Sequence, residues 1–143
     1  MSDDVSALQD ALAGVHATIW AYGEIGATVS DQHLAAVAAA DNAYRGLRGQ
    51  LEDVVRGLGE QPVASQPGYT LPMPVADDLS ALHAAAALED AMCAHWRYCS
   101  GRVDAVPIRT FCIDALTSAA GAAVRWRQTA GVPLSVPAFP GLA

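Results

Sequence analysis

Between Gly59 and Ala76 the chain reads GEQPVASQPGYTLPMPVA, and Pro62, Pro67, Pro72 and Pro74 exclude a helix there. Each proline lacks the amide hydrogen that a helix uses and pushes the residue before it toward extended backbone. Helical periodicity flanks this stretch on both sides, so the fold must take in one extended connection between two helical halves. In polyproline II geometry, at ~3.1 Å per residue, roughly 17 residues reach about 50 Å. A helix of about 27 residues is only about 40 Å long at ~1.5 Å per residue. The connection is therefore long enough to run the full length of a helical bundle. Tyr69, Leu71, Met73 and Val75 give it apolar groups to pack with, which favours a packed crossover over a flexible linker between domains.

Upstream, Leu8, Leu12, Val15, Ile19, Tyr22 and Gly26 recur at spacings of three and four, as in a helix that buries one seam. They predict a first helix from about Asp3 to Val29. Ser30 and Asp31 offer caps for a second helix. Its seam is Leu34, Val37, Asp41, Tyr44, Arg48, Leu51, Val55 and Leu58, and it ends at Gly59. So short a turn makes the two an antiparallel pair. The third helix starts after Asp77 or Asp78, with Leu79, Leu82, Ala86, Cys93 and Trp96 on its apolar stripe. Glu89 lies on that same stripe, a carboxylate turned inward. The fourth begins near Pro107, whose missing N–H is tolerated in a first turn. It carries Ile108, Phe111, Cys112, Ala115, Ala119, Ala122 and Trp126, and stops at Gly131 before Pro133. Phe139 and Leu142, among the prolines of VPLSVPAFPGLA, suit an extended strap on the bundle. Together these segments make one all-α domain over residues 1–143. Two helical hairpins joined by one long crossover is the connectivity of a ferritin-like four-helix bundle.

Composition agrees with that class. A chain of 143 residues is enough for one domain with a real core. Its hydrophobic fraction is 52% with only 6% aromatic, so Ala, Leu and Val do the packing, which suits close helices better than a β-sandwich. The net charge of −7 argues against nucleic acid, whose binding needs basic side chains on phosphates. The N-terminus MSDDVSALQD is acidic and lacks the regions of a signal peptide. No stretch approaches the ~20 apolar residues of a membrane span. Three cysteines, an odd number, do not make a disulfide framework. A cytoplasmic protein with reduced thiols is the expectation, with no membrane or nucleic-acid partner.

The segments ALQDALAGVHATIWAYGEIGA, YTLPMPV, LED, DALTSAAGAAVRWR and the terminal AFPGL carry a family resemblance. The chain resembles the uncharacterised ferritin-like domain family of actinobacteria, with helix two the weakest part of the match. The resemblance implies a ferritin-like four-helix bundle and brings no assigned activity with it. It also implies that relatives carry Glu-His where this chain has Val15-His16. Likewise a basic, His-containing segment stands in place of Asp41 to Arg45, and an Asp in place of Ser118.

Dimetal proteins of the ferritin type place one Glu on each of two helices and a Glu-x-x-His pair on each of the others. No Glu-x-x-His occurs here; Glu24, Glu52, Glu60 and Glu89 are followed three residues on by Ala27, Val55, Val63 and Met92. A reduced metal site, for iron or manganese, would have to be built from His16, Asp41 and Glu89. The simpler expectation pairs inward groups with one another, since an unpaired buried charge is costly. Arg48 is the expected partner of Glu89, with a guanidinium fork suited to a carboxylate. Cys93 and Cys112 face the core from adjacent helices and read as packing thiols more readily than as a redox pair. The cations of RWRQ, from Arg125, complement a helix C-terminus.

The expected function is that of a non-catalytic structural or interaction protein without cofactor, a homodimer through Ala-rich faces such as LAAVAAADNA and SAAGAA. A metal-dependent ferritin-like oxidase is one alternative. Another is a small-molecule binder with a pocket among Trp20, Tyr44, Glu89 and Trp96.

Overall fold

A computed structural model describes residues 2–133 and 139–142 of the chain. It contains four helices, α1 (Asp3–Thr28), α2 (Asp31–Gly57), α3 (Asp78–Arg102) and α4 (Val106–Thr129), and no strand among the described residues. The ends differ slightly from the periodicity: Thr28 for Val29, Gly57 for Gly59, Thr129 for Gly131. Glycines stop two of them, for Gly59 and Gly131 take up φ of 85° and 75°, the left-handed conformation that ends a helix cheaply only at glycine. At the start of α3, Asp77 accepts from the Ser80 amide and Ser80 accepts from the Asp77 amide, a reciprocal cap. Ser30, at the head of α2, turns instead to α3. Its amide and its hydroxyl each donate to the Asp78 carboxylate at 2.7 Å, tying the α1–α2 turn to the start of α3.

The three extensive interfaces are α1 with α2, α1 with α3, and α3 with α4. All are antiparallel. Gly26 faces Val37 while Tyr22 faces Tyr44; Gly14 faces His95 while Tyr22 reaches Glu89; Trp96 stacks edge-on with Phe111 while Arg127 pairs with Asp90. Helices α1 and α3 thus form the centre, each with two extensive interfaces and a long run of buried side chains, whereas α2 buries only Val37, Tyr44, Leu51 and Val55.

Residues between α2 and α3 form neither helix nor strand and lie against α1. Gln9 donates to the Gln61 carbonyl at 2.6 Å and accepts from the Val63 amide at 2.8 Å. His16 Nε2 lies 2.9 Å from the Val63 carbonyl, and the Trp20 and Tyr69 rings are 6.2 Å apart. Leu71, Met73 and Val75 are partly buried on the core. No helix among the described residues is long and apolar enough to cross a membrane.

Several seam positions are corrected. Leu34, Leu58 and Leu79 are 42%, 40% and 53% exposed. Each sits at a helix end, beyond the cover of a partner helix. Ile25 is buried, while Gly26 is only half-buried. Phe139 and Leu142 are exposed, although Gly141 between them sits close against the Cys93 carbonyl. The rest of the expected strap, residues 134–138, lies outside the described residues.

At Gly14, α1 packs tightly on side chains of α3: a Cβ there would meet the His95 ring at 2.9 Å and Met92 Sδ at 3.1 Å. Gly23, on the same helix, would meet nothing within 4 Å. Gly14→Val should therefore destabilise by about 1–3 kcal/mol through overpacking. Gly23→Ala should stabilise by about 0.5–1 kcal/mol through helix propensity. Paired denaturant melts check the contrast, and equal effects at the two sites would contradict the close approach.

Candidate functional site

Glu89 is 1% exposed, in the middle of α3. Tyr22 of α1 donates to its Oε1 at 2.5 Å, and Tyr44 of α2 donates to its Oε2 at 2.5 Å. Trp126 Nε1 of α4 donates to the Tyr22 hydroxyl at 3.0 Å. One residue from each helix thus joins a single network. The rings pack as well, with Tyr22 6.0 Å from Tyr44 and 6.2 Å from Trp126 between centroids. Both phenols and the indole are themselves buried.

The hydrogen count fits an ionised carboxylate. Trp126, Tyr22 and Tyr44 bring three hydrogens, and each has an acceptor within the network. A fourth, on Glu89, would have no acceptor within the network unless a phenol turned its own hydrogen aside. Burial nevertheless raises the Glu89 carboxyl above its usual range, against the opposing pull of the Tyr22 and Tyr44 hydrogen bonds and of Arg125. Burial, reinforced by the Glu89 charge, pushes both phenols far above the ordinary tyrosine value, so they remain protonated donors.

Above this network the helices part. A groove of about 410 Å³ lies between α2 and α4, walled largely by alanines, among them Ala36, Ala39, Ala43, Ala119 and Ala122. Tyr44, Glu89 and Trp126 contribute to its lining, with Ser118, Arg125 and Thr129 as its other polar residues. Cavities of this size hold small molecules when a few polar groups converge in an apolar wall.

The residues singled out from the sequence are dispersed. His16 is buried at the extended segment, bonded to Val63 and to no carboxylate. Asp41 is half-buried and pairs with Arg45 one turn along α2 at 3.0 Å. Arg48 is not the partner of Glu89; it forms no ion pair among the described residues and does not line the groove. Among the described residues no three His, Cys, Asp or Glu side chains gather as a metal-ligand group. The donor set at Glu89 does not fit a dimetal centre either, since among the described residues it is a single carboxylate flanked by two phenols, with no second acid and no imidazole in the groove lining.

Of the expected pocket residues, Tyr44 and Glu89 do meet. Trp20 packs on Tyr69 instead, and Trp96 is fully buried against Phe111. Tyr22 and Trp126 are functional candidates that helical periodicity marks only as packing residues; their polar tips on inward seams were the available signal. The Cys99 thiol beside Cys112 lowers it from the ordinary thiol value. Cys93 is pushed up to about 11 by burial, which leaves it a thiol at neutral pH.

This is an all-α protein of four helices with a buried carboxylate at its centre. The chain belongs to the family described as Domain of unknown function (DUF4439), which matches residues 7–143. It is similar to a solved structure, the conserved hypothetical protein rv2844 from Mycobacterium tuberculosis, with 32% identity, a TM-score of 0.88 and 96% of each chain covered. No curated protein matches the chain significantly.

Glu89 sets a pH dependence whose sign follows from its raised carboxyl. Stability from this group is fully present below the unfolded value near 4.5 and is lost as pH rises through the higher folded value. The stability difference between the parent and Glu89→Gln should therefore shrink as pH rises across that window. Tyr22→Phe should cost about 1–3 kcal/mol, since it leaves Trp126 Nε1 and one carboxylate oxygen unpaired. Urea melts from acid to neutral pH check both, and a pH-independent difference would place Glu89 in solvent.

Proposed function

We propose that this chain is a single ferritin-like four-helix bundle domain that works by binding rather than by catalysis, with the groove between α2 and α4 as its binding site. The observation that carries this reading is the open side of the bundle. Extensive interfaces join α2 to α1, α1 to α3 and α3 to α4, while α2 and α4 stand apart over a buried polar network. In an interaction module without a pocket, four Ala-rich helices would close that side, because small residues allow close approach. A groove walled by alanine with Glu89, Tyr44 and Trp126 in its lining is instead the composition of a small-molecule site.

The reading includes residues 60–75 as a crossover along the bundle, supported by their contacts with Gln9, His16 and Trp20. It includes no resident metal, supported by the dispersal of His16, Asp41 and Glu89. A cytoplasmic location is part of it, supported by three free, buried thiols.

The neutral dye Nile red tests the groove. It should bind the parent at one per chain with a rise in fluorescence. Ala39→Phe, at an exposed position on the groove wall, should weaken that binding by about tenfold or more through overfilling and leave the melting temperature unchanged. Equal dye binding by the two proteins would move the site elsewhere.

A homodimer is a second reading, favoured by the exposed apolar face of α2 at Leu34, Ala35 and Ala38. Sedimentation equilibrium should then give twice the chain mass, returning to one chain in Leu34→Arg. A single-chain mass for the parent would end that reading.

A further inference from the structure

The binding reading leaves open what kind of molecule the groove selects, and the charge at its floor bears on that. Glu89 forms no ion pair among the described residues, although Arg45, Arg56, Arg102, Arg109 and Arg127 all do. Two phenol donors satisfy part of its hydrogen-bonding capacity and leave its net charge in place. A carboxylate has about four lone-pair sites, of which the tyrosines take one on each oxygen. Open sites remain on a group that lines the groove.

The groups around that charge are specific in kind. Tyr44 and Trp126 share the lining, and the faces of such rings attract a cation. The walls are alanine methyls, which accept hydrocarbon and offer no hydrogen bonds. A hard metal ion needs six or more oxygen ligands or their waters. Among the described residues Glu89 is the groove's sole carboxylate, and no His or Cys joins it there. An anion would meet Glu89 at the floor, with Arg125 as the only cation of the lining, itself exposed. The net charge of −7 adds a long-range pull on cations.

We propose that the groove between α2 and α4 selects a small organic ammonium ion, a protonated amine on an apolar body, with its nitrogen at Glu89 and its hydrocarbon among the alanines. This rests on the groove being the binding site. The ammonium donates to the free lone pairs of the carboxylate while Tyr22 and Tyr44 keep their bonds to it. Trp126, bonded to Tyr22 and lining the groove, reports on occupancy from within the site.

Three probes with one hydrocarbon chain separate charge from apolar fit: hexylammonium, hexanol and hexanoate. Each is titrated into the full chain at neutral pH while the Trp126 indole N–H is followed by NMR. Hexylammonium should bind about tenfold tighter than hexanol or better, as a charge-assisted hydrogen bond provides. In Glu89→Gln its affinity should fall to that of hexanol, with hexanol itself unchanged. Arg125→Gln removes a like charge from an exposed position and should strengthen hexylammonium about twofold or more. That variant decides the matter even if Glu89→Gln fails to fold.

Hexanol or hexanoate binding as tightly as hexylammonium, or no gain in Arg125→Gln, would overturn the ammonium selectivity while the groove reading stands. A Trp126 signal that none of the three probes shifts would overturn both.

Discussion

A carboxylate withdrawn from water needs a donor for each oxygen, and Glu89 takes its two donors from different helices. Tyr22 comes from α1 and Tyr44 from α2, and Trp126 of α4 holds Tyr22 in turn. One side chain on α3 therefore ties together all four helices. The interfaces around it are rich in alanine, and such faces offer similar contacts at several registers. Hydrogen bonds of 2.5 Å do not tolerate a slide of even part of a turn. The apolar seams supply the burial that drives association, and the network selects one alignment.

The same network sits at the edge of the space that the helices leave open. Helix α1 is enclosed by α2, by α3 and by the segment that runs past Gln9, His16 and Trp20. Among the described residues helix α2 has only α1 as an extensive neighbour, so one narrow row of its side chains is covered and the flank toward α4 is not. Carboxylate, phenol and indole thus lie beneath a cavity walled by methyl groups. Structural support and candidate binding site are consequently one set of residues, and substitutions there act on both unless the fold is monitored separately.

The distribution of the polar groups also bears on the resemblance to ferritin-like proteins. A dimetal centre requires carboxylates and imidazoles whose free oxygens and nitrogens converge. In this chain the inward acid accepts from two phenols, His16 bonds a backbone carbonyl of the extended segment, and Asp41 pairs with Arg45 along its own helix. The space beside the Glu89 oxygens is here occupied by tyrosine hydroxyls. An arrangement of helices does not by itself carry a chemistry.

Much of this was legible from residue order alone. Spacings of three and four placed the helices, prolines marked the extended segment, and the stripe from Leu82 through Ala86 to Cys93 placed Glu89 inward. Helical projection fixes a face, because backbone geometry is local and repeats every turn. It does not fix what stands opposite that face. Arg48 shared a seam with Tyr44, yet only Tyr44 reaches Glu89, because the position of α2 beside α1 decides which side of that seam meets α3. Tyr22 lies 67 residues from Glu89, and Trp126 lies 104 residues from Tyr22. Contacts at such separations depend on how the helices stack, as does the gap between α2 and α4. The sequence by itself determined the elements and the inward charge, through local periodicity; only tertiary packing, which is non-local, decided its partners and the groove above it.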